Sequence, residues 1–135
     1  MTDDLIAALG SVPLFEGLSQ KELKAVAAVG TEIDRAVGDV IAAEGSPGLA
    51  FFAVLDGAAD VTVGGISQRT MRPGDHFGEI ALIDDGARTA TVTVTEPARV
   101  FALTPRNFKP LLEEYPGMTE KLLLGLCKMI RFQQT

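Results

Sequence analysis

In the stretch FGEIALIDDGARTATV (77–92), an acid and a base, Glu79 and Arg88, stand nine positions apart. An ionised Glu79 is acceptor-only, so it suits ligand hydroxyls and repels phosphate. Arg88 carries a planar fork of donors that fits two phosphate oxygens. Gly78, just before the acid, lets backbone come close to a ligand. Residues 79–83 suffice for one helical turn, whose unpaired N–H groups point at an anion. The stretch therefore fits a ligand with a ribose-like hydroxyl on one side and a single phosphate on the other. A surface salt bridge between Glu79 and Arg88 is the competing account.

The elements around this stretch run from helix to strands and back to helix. Residues 4–9 read as a short apolar turn, and VPLFEGL (12–18) as a connector punctuated by proline and glycine. SQKE is a capping box, in which Ser19 caps the backbone and Glu22 reaches back, with Leu18 and Leu23 as the staple. The helix it opens spans 20–29, with Leu23, Val26 and Ala27 at helical spacing. From Thr31 to Leu103 short strands alternate with turns at Gly38-Asp39, Gly45-Ser46-Pro47-Gly48, Asp56-Gly57, Gly64-Gly65, Pro73-Gly74-Asp75 and Asp84-Asp85-Gly86. Gly64-Gly65 reads as a tight hairpin. Such spacing predicts a small barrel or jelly roll rather than βαβ units. Thr104-Pro105 starts a helix to Tyr115, Pro116-Gly117 breaks it, and 118–133 forms a last helix with Leu122, Leu126, Met129 and Ile130 on one stripe.

Composition removes several classes of function. The 135 residues make one domain. The net charge of −6 argues against a nucleic-acid surface on this chain. No apolar run approaches the ~18–20 residues of a membrane span. The start MTDDLIAALG has acids where a signal peptide has positive charge. A lone cysteine, Cys127, gives no disulfide framework and points to a cytoplasmic protein; placed among leucines, it reads as a packed small hydrophobe. A metal-dependent jelly-roll enzyme needs two or three histidines, and the chain has one, His76, which reads as structural. Asp84-Asp85 reads as a charged loop tip, and Arg69 and Arg72 as exposed hairpin charges.

FGEIAL followed by RTATV resembles the phosphate-binding cassette of cyclic nucleotide-binding domains, the family of catabolite activator proteins, kinase regulatory subunits and cyclic-nucleotide-gated channels. The likeness continues through PLFEGLS, through GDVIAAEGSPGLAFFAVLDGAADV with Gly38, Glu44-Gly45, Gly48 and Gly57 at the family's turns, and through MRPGDHFGE. It covers about residues 12 to 130. The fold it implies is mainly β, a β-roll of jelly-roll type with N-terminal helices, a short phosphate-binding turn and two C-terminal helices. One domain fills 1–135: a helical segment at 1–30, the roll at 31–103 and C-terminal helices, including a lid, at 104–135.

The resemblance also implies roles. Glu79 accepts the ribose 2′-hydroxyl, and Arg88 pairs with the cyclic phosphate. Backbone N–H groups in the turn from Gly78 through Ile80, Ala81 and Leu82, and that of Ala90, meet phosphate oxygens. Thr89 sits where residue type influences the choice of base, its hydroxyl able to reach the phosphate or the amino group of a syn guanine. cAMP is favoured over cGMP on the alanine- and glycine-rich composition. Val61 is the expected apolar contact to the base. Nucleotide draws the cassette inward, Leu82 or Ile83 shifts with it, and the last helix closes over the pocket, with Lys128, Arg131, Met129 or Ile130 as capping candidates. The ligand is thus cAMP or cGMP with no further cofactor, and the chain is a non-catalytic sensor working on an effector protein or an effector domain. Two alternatives stand beside this: a sensor fragment of a larger transcription regulator or channel, and a domain that keeps the fold for protein interaction without binding nucleotide.

Overall fold

The computed structural model describes residues 2–46, 50–78, 82, 88 and 90–134. They fall into two compact units, a helical one (Met1–Gly30 with Arg106–Thr135) and a sheet one (Thr31–Pro105).

The sheet unit is an open six-stranded antiparallel sheet: β1 (Thr31–Arg35), β2 (Val40–Ala42), β3 (Phe51–Val63), β4 (Ile66–Met71), β5 (His76–Phe77) and β6 (Thr91–Leu103). Its spine is the pair β3–β6, in register from Phe51↔Leu103 to Thr62↔Thr91. Register slips between Val54 and Ala59 divide this spine into halves. In one half β1 adds to β6 at residues 98–102 and β5 adds to β3 at Phe52 and Ala53. In the other, β2 adds to β6 near Thr93 and β4 adds to β3 from Ala59 to Val63. Two four-stranded layers thus share the same two long strands, with a crease between them.

The crease is written in the sequence as Asp56-Gly57 facing Pro97. Proline has no N–H for a ladder and is tolerated where pairing lapses. The alternation of β6, buried at Val92 and Val94 and again from Ala98, is interrupted by exposed Thr95, Glu96 and Pro97. Gly57 has φ +84°, and a side chain there would run into the Pro97 carbonyl oxygen and, at 2.7 Å, the Ala98 Cα. The expected turn at Asp56-Gly57 is therefore a bulge inside a thirteen-residue strand. Gly64-Gly65 does close the β3–β4 hairpin, with φ +59° and +80°, the double positive φ of a type I′ turn.

In the helical unit, α1 (Thr2–Gly10) is a nine-residue helix where the sequence suggested only a turn. A 3-10 turn at Pro13–Phe15 follows, then α2 (Gln20–Val29). Both arms of the capping box are formed: Glu22 N donates to Ser19 Oγ at 3.2 Å, and Ser19 N donates to Glu22 Oε1 at 2.8 Å. Leu18 and Leu23 are both buried. The single helix expected from Pro105 to Tyr115 is two pieces, α3 (Pro105–Phe108) and α4 (Pro110–Glu114). Pro110 has no N–H to carry the ladder across Lys109. The last helix, α5 (Gly117–Gln134), buries Met118, Leu122 and Gly125. Gly125 lies so close to the 3-10 turn that a Cβ there would sit 2.8 Å from the Leu14 carbonyl oxygen. The buried stripe is thus rotated from the expected one: Leu126 and Met129 are half-buried and Ile130 is exposed. Cys127 is exposed as well, not packed. Helical spacing alone cannot tell which of two leucine-bearing faces meets the turn. Among the described residues no helix is long and apolar enough to cross a membrane.

Candidate functional site

Arg88 is seated by backbone and ring contacts within the sheet unit. Its backbone is bracketed by the turn after β2: Arg88 N donates to Ser46 O at 2.8 Å, and Gly45 N donates to Arg88 O at 2.9 Å. Its guanidinium carbon lies 6.0 Å from the centroid of Phe52 and 5.7 Å from that of Phe77. Those two rings, on paired β3 and β5, stack on each other at 5.1 Å and 23°. A cation over aromatic faces is attracted by the ring quadrupole, and stacking engages the face of the guanidinium while its N–H donors lie in its plane.

Gly78 follows β5 and has φ +83°. A Cβ on Gly78 would collide with Arg88 Nη1 and would lie 2.7 Å from the Ala50 carbonyl oxygen. The glycine before the acid is therefore needed for the arginine to reach its position, a reason beyond ligand approach.

Beside Arg88 lies an open cavity of about 350 Å³, lined by Val40, Ile41, Ala42, Ala43, Ser46, Ala50, Phe52 and Arg88. That volume is at the small end of ligand pockets, roughly 300–1,000 Å³. Its wall is also core: Ala42 is buried with Val54, Ala59, Val61, Met71 and Val92, and Ile41 and Phe52 pack on Val94, Ala98 and Val100. A wall shared with the core is held in shape before any ligand arrives.

The other expected site residues are distributed as follows. Leu82 is fully buried. Ala90 is half-buried and packs against the cluster containing Val61. Val61 is 8% exposed and is not among the residues lining the cavity. Glu79, Ile80, Ala81 and Thr89 lie outside the described residues, as do Ile83, Asp84-Asp85-Gly86 and Pro47-Gly48. His76 stacks on Phe51 at 6.1 Å. Arg69 and Arg72 are exposed. Sequence reasoning missed the aromatic floor of Phe52 and Phe77 and the apolar wall of Ile41, Ala42 and Ala50. The signal available was FFAVL, two adjacent aromatics facing opposite sides of one strand; nothing local paired Phe52 with Phe77.

An apolar cavity in a creased antiparallel roll, with a guanidinium at its edge, has the chemistry to take a small anion-bearing ligand. The family profile of the cyclic nucleotide-binding domain matches residues 35–115, so the chain belongs to the cyclic nucleotide-binding domain family. It is 36% identical over 108 residues to a cAMP-dependent protein kinase regulatory subunit of Aspergillus niger, covering 78% of this chain and 26% of that protein. Over 81 residues it is 37% identical to the potassium/sodium hyperpolarization-activated cyclic nucleotide-gated channel 2 of Mus musculus, covering 60% of this chain and 9% of the channel. The chain thus spans about a quarter or less of the length of these relatives. Among solved structures, the N-terminal domain of a transcriptional regulator from Streptomyces coelicolor A3(2) superposes with a TM-score of 0.87 at 27% identity, over 93% of this chain and 94% of that one.

Proposed function

We propose that the whole chain, 1–135, is a cytoplasmic regulatory sensor that binds a cyclic nucleotide, cAMP in preference to cGMP, and performs no catalysis. The observation that carries this reading is Arg88, seated on Phe52 and Phe77 at the edge of a preformed cavity in a chain of this family. Arg88 pairs with the cyclic phosphate, and N–H groups of the turn from Gly78 through Ile80, Ala81 and Leu82, and of Ala90, complete its oxygens. Glu79 takes the ribose 2′-hydroxyl, Thr89 faces the base, and Val61 supports the base from the core side. The helix α5 serves as the lid, and nucleotide shifts the population towards the closed form by binding it more tightly than the open one. The output acts on an effector protein or a further domain of a larger regulator.

Calorimetric titration with cAMP and cGMP tests this. Native protein should bind cAMP more tightly than cGMP, and Arg88→Ala or Glu79→Ala should weaken binding by roughly 2–5 kcal/mol. Absence of heat and of thermal shift at millimolar nucleotide would leave a fold kept for protein interaction alone.

A further inference from the structure

Arg88 owes its backbone position to the turn at Gly45-Ser46, and that turn is itself tied down by the residue before it. The Glu44 carboxylate reaches across to the β3–β4 hairpin, where Gly64 N donates to Glu44 Oε1 at 2.8 Å. The Glu44 N–H donates to Thr91 Oγ1 at 3.1 Å. Thr91 begins β6, three positions after Arg88, and its carbonyl accepts from Thr62 Oγ1 at 3.5 Å on the neighbouring strand. The next two residues, Gly45 and Ser46, make the pair of backbone hydrogen bonds that bracket Arg88. Side chain and main chain of one residue thus join the hairpin tip, the turn after β2 and the start of β6.

We infer that Glu44 is a positioning residue for Arg88: its carboxylate fixes the Gly45-Ser46 turn against the Gly64 hairpin tip and so holds the arginine at the cavity edge. As a determinant of ligand affinity this rests on the reading of Arg88 as the phosphate ligand. Glu44 is exposed and none of its bonds is to the cavity. Its effect is therefore on where Arg88 stands. The geometry needs an acceptor for the Gly64 N–H, and a glutamine amide oxygen supplies one.

The test has one arm without nucleotide and one with it. In the free protein, amide hydrogen exchange at Gly45, Gly64 and Arg88 should be faster by about three- to tenfold in Glu44→Ala, the opening expected from one lost hydrogen bond at an exposed position. Glu44→Gln, which keeps the acceptor, should restore native rates. Thr91→Val, which removes the other anchor, should speed exchange at Gly45 and Arg88. In the second arm, cAMP affinity measured by calorimetry should fall about three- to tenfold in Glu44→Ala and return in Glu44→Gln. Unchanged exchange at Gly45 and Arg88 in Glu44→Ala overturns the inference. So does a failure of Glu44→Gln to rescue a folded protein. If native protein binds neither cAMP nor cGMP, the proposed function fails by itself, and the exchange arm still decides whether Glu44 holds Arg88.

Discussion

Arg88 in the sheet unit and Lys121 in the helical unit are both half-buried cations, one lying over aromatic rings at a cavity edge and the other paired at a helix end. Lys121 Nζ donates to Glu22 Oε1 at 2.6 Å, and the same oxygen accepts from Ser19 N to close the capping box of α2. The lysine's charge is thus answered by a carboxylate already committed to a helix end. Arg88 lies over two rings and is bracketed through its backbone. Aromatic faces orient the plane of the guanidinium. One cation is paired at a helix end, and the other lines a cavity. A change around Arg88 should therefore register in ligand affinity, and a change around Glu22 in stability.

Among changes that leave Arg88 and Glu79 themselves in place, Gly78→Ala should produce the largest effect. The added Cβ meets the guanidinium and the Ala50 carbonyl, and φ +83° is strained for alanine. We expect a loss of about 2 kcal/mol or more in cAMP binding, with strain of roughly 1–3 kcal/mol in urea unfolding. Native cAMP affinity in Gly78→Ala would show that Arg88 does not need its present seat. The opposite pattern belongs to Ser19→Ala, which removes a capping hydroxyl. It should cost about 1 kcal/mol of stability and leave calorimetric cAMP affinity as it was. An affinity loss there matching that of Gly78→Ala would erase the distinction between the units.

The distinction also explains what could be read from sequence. The capping box was legible because all its partners lie within three residues, and the Gly64-Gly65 hairpin because its turn chemistry is local. Gly57 was recognisable as unusual, yet its partner Pro97 is forty positions away, so a bulge looked like a break. Arg88 was identifiable by motif, whereas its seat on Phe52 and Phe77 depends on β3 pairing with β5. Lys121 meeting Glu22, ninety-nine positions apart, left no local trace. On α5 the apolar residues go nearly all round the helix, so spacing could not decide between Gly125 facing inward and Cys127 or Ile130 doing so.

The smallest expected effect is the pH dependence of the Glu22–Lys121 pair. Burial by itself raises the pKa of Glu22. The hydrogen bond from Lys121, those from the Ser19 backbone and side chain, and the lysine's charge together outweigh burial, and the carboxyl is held below its ordinary value. For a carboxylate whose folded pKa is depressed, the unfolded chain takes up its proton first as pH falls. The pair's contribution is therefore complete above the unfolded glutamate value of about 4.3 and is lost as pH falls through the lower folded value. Glu22→Gln isolates it, since glutamine at this position still completes a capping box. In urea unfolding the stability difference between native protein and Glu22→Gln should be constant from neutral pH down to about 5, then shrink with further acidification. A difference that stays constant through that range would mean that Lys121 contributes to α2 only through packing of its stem.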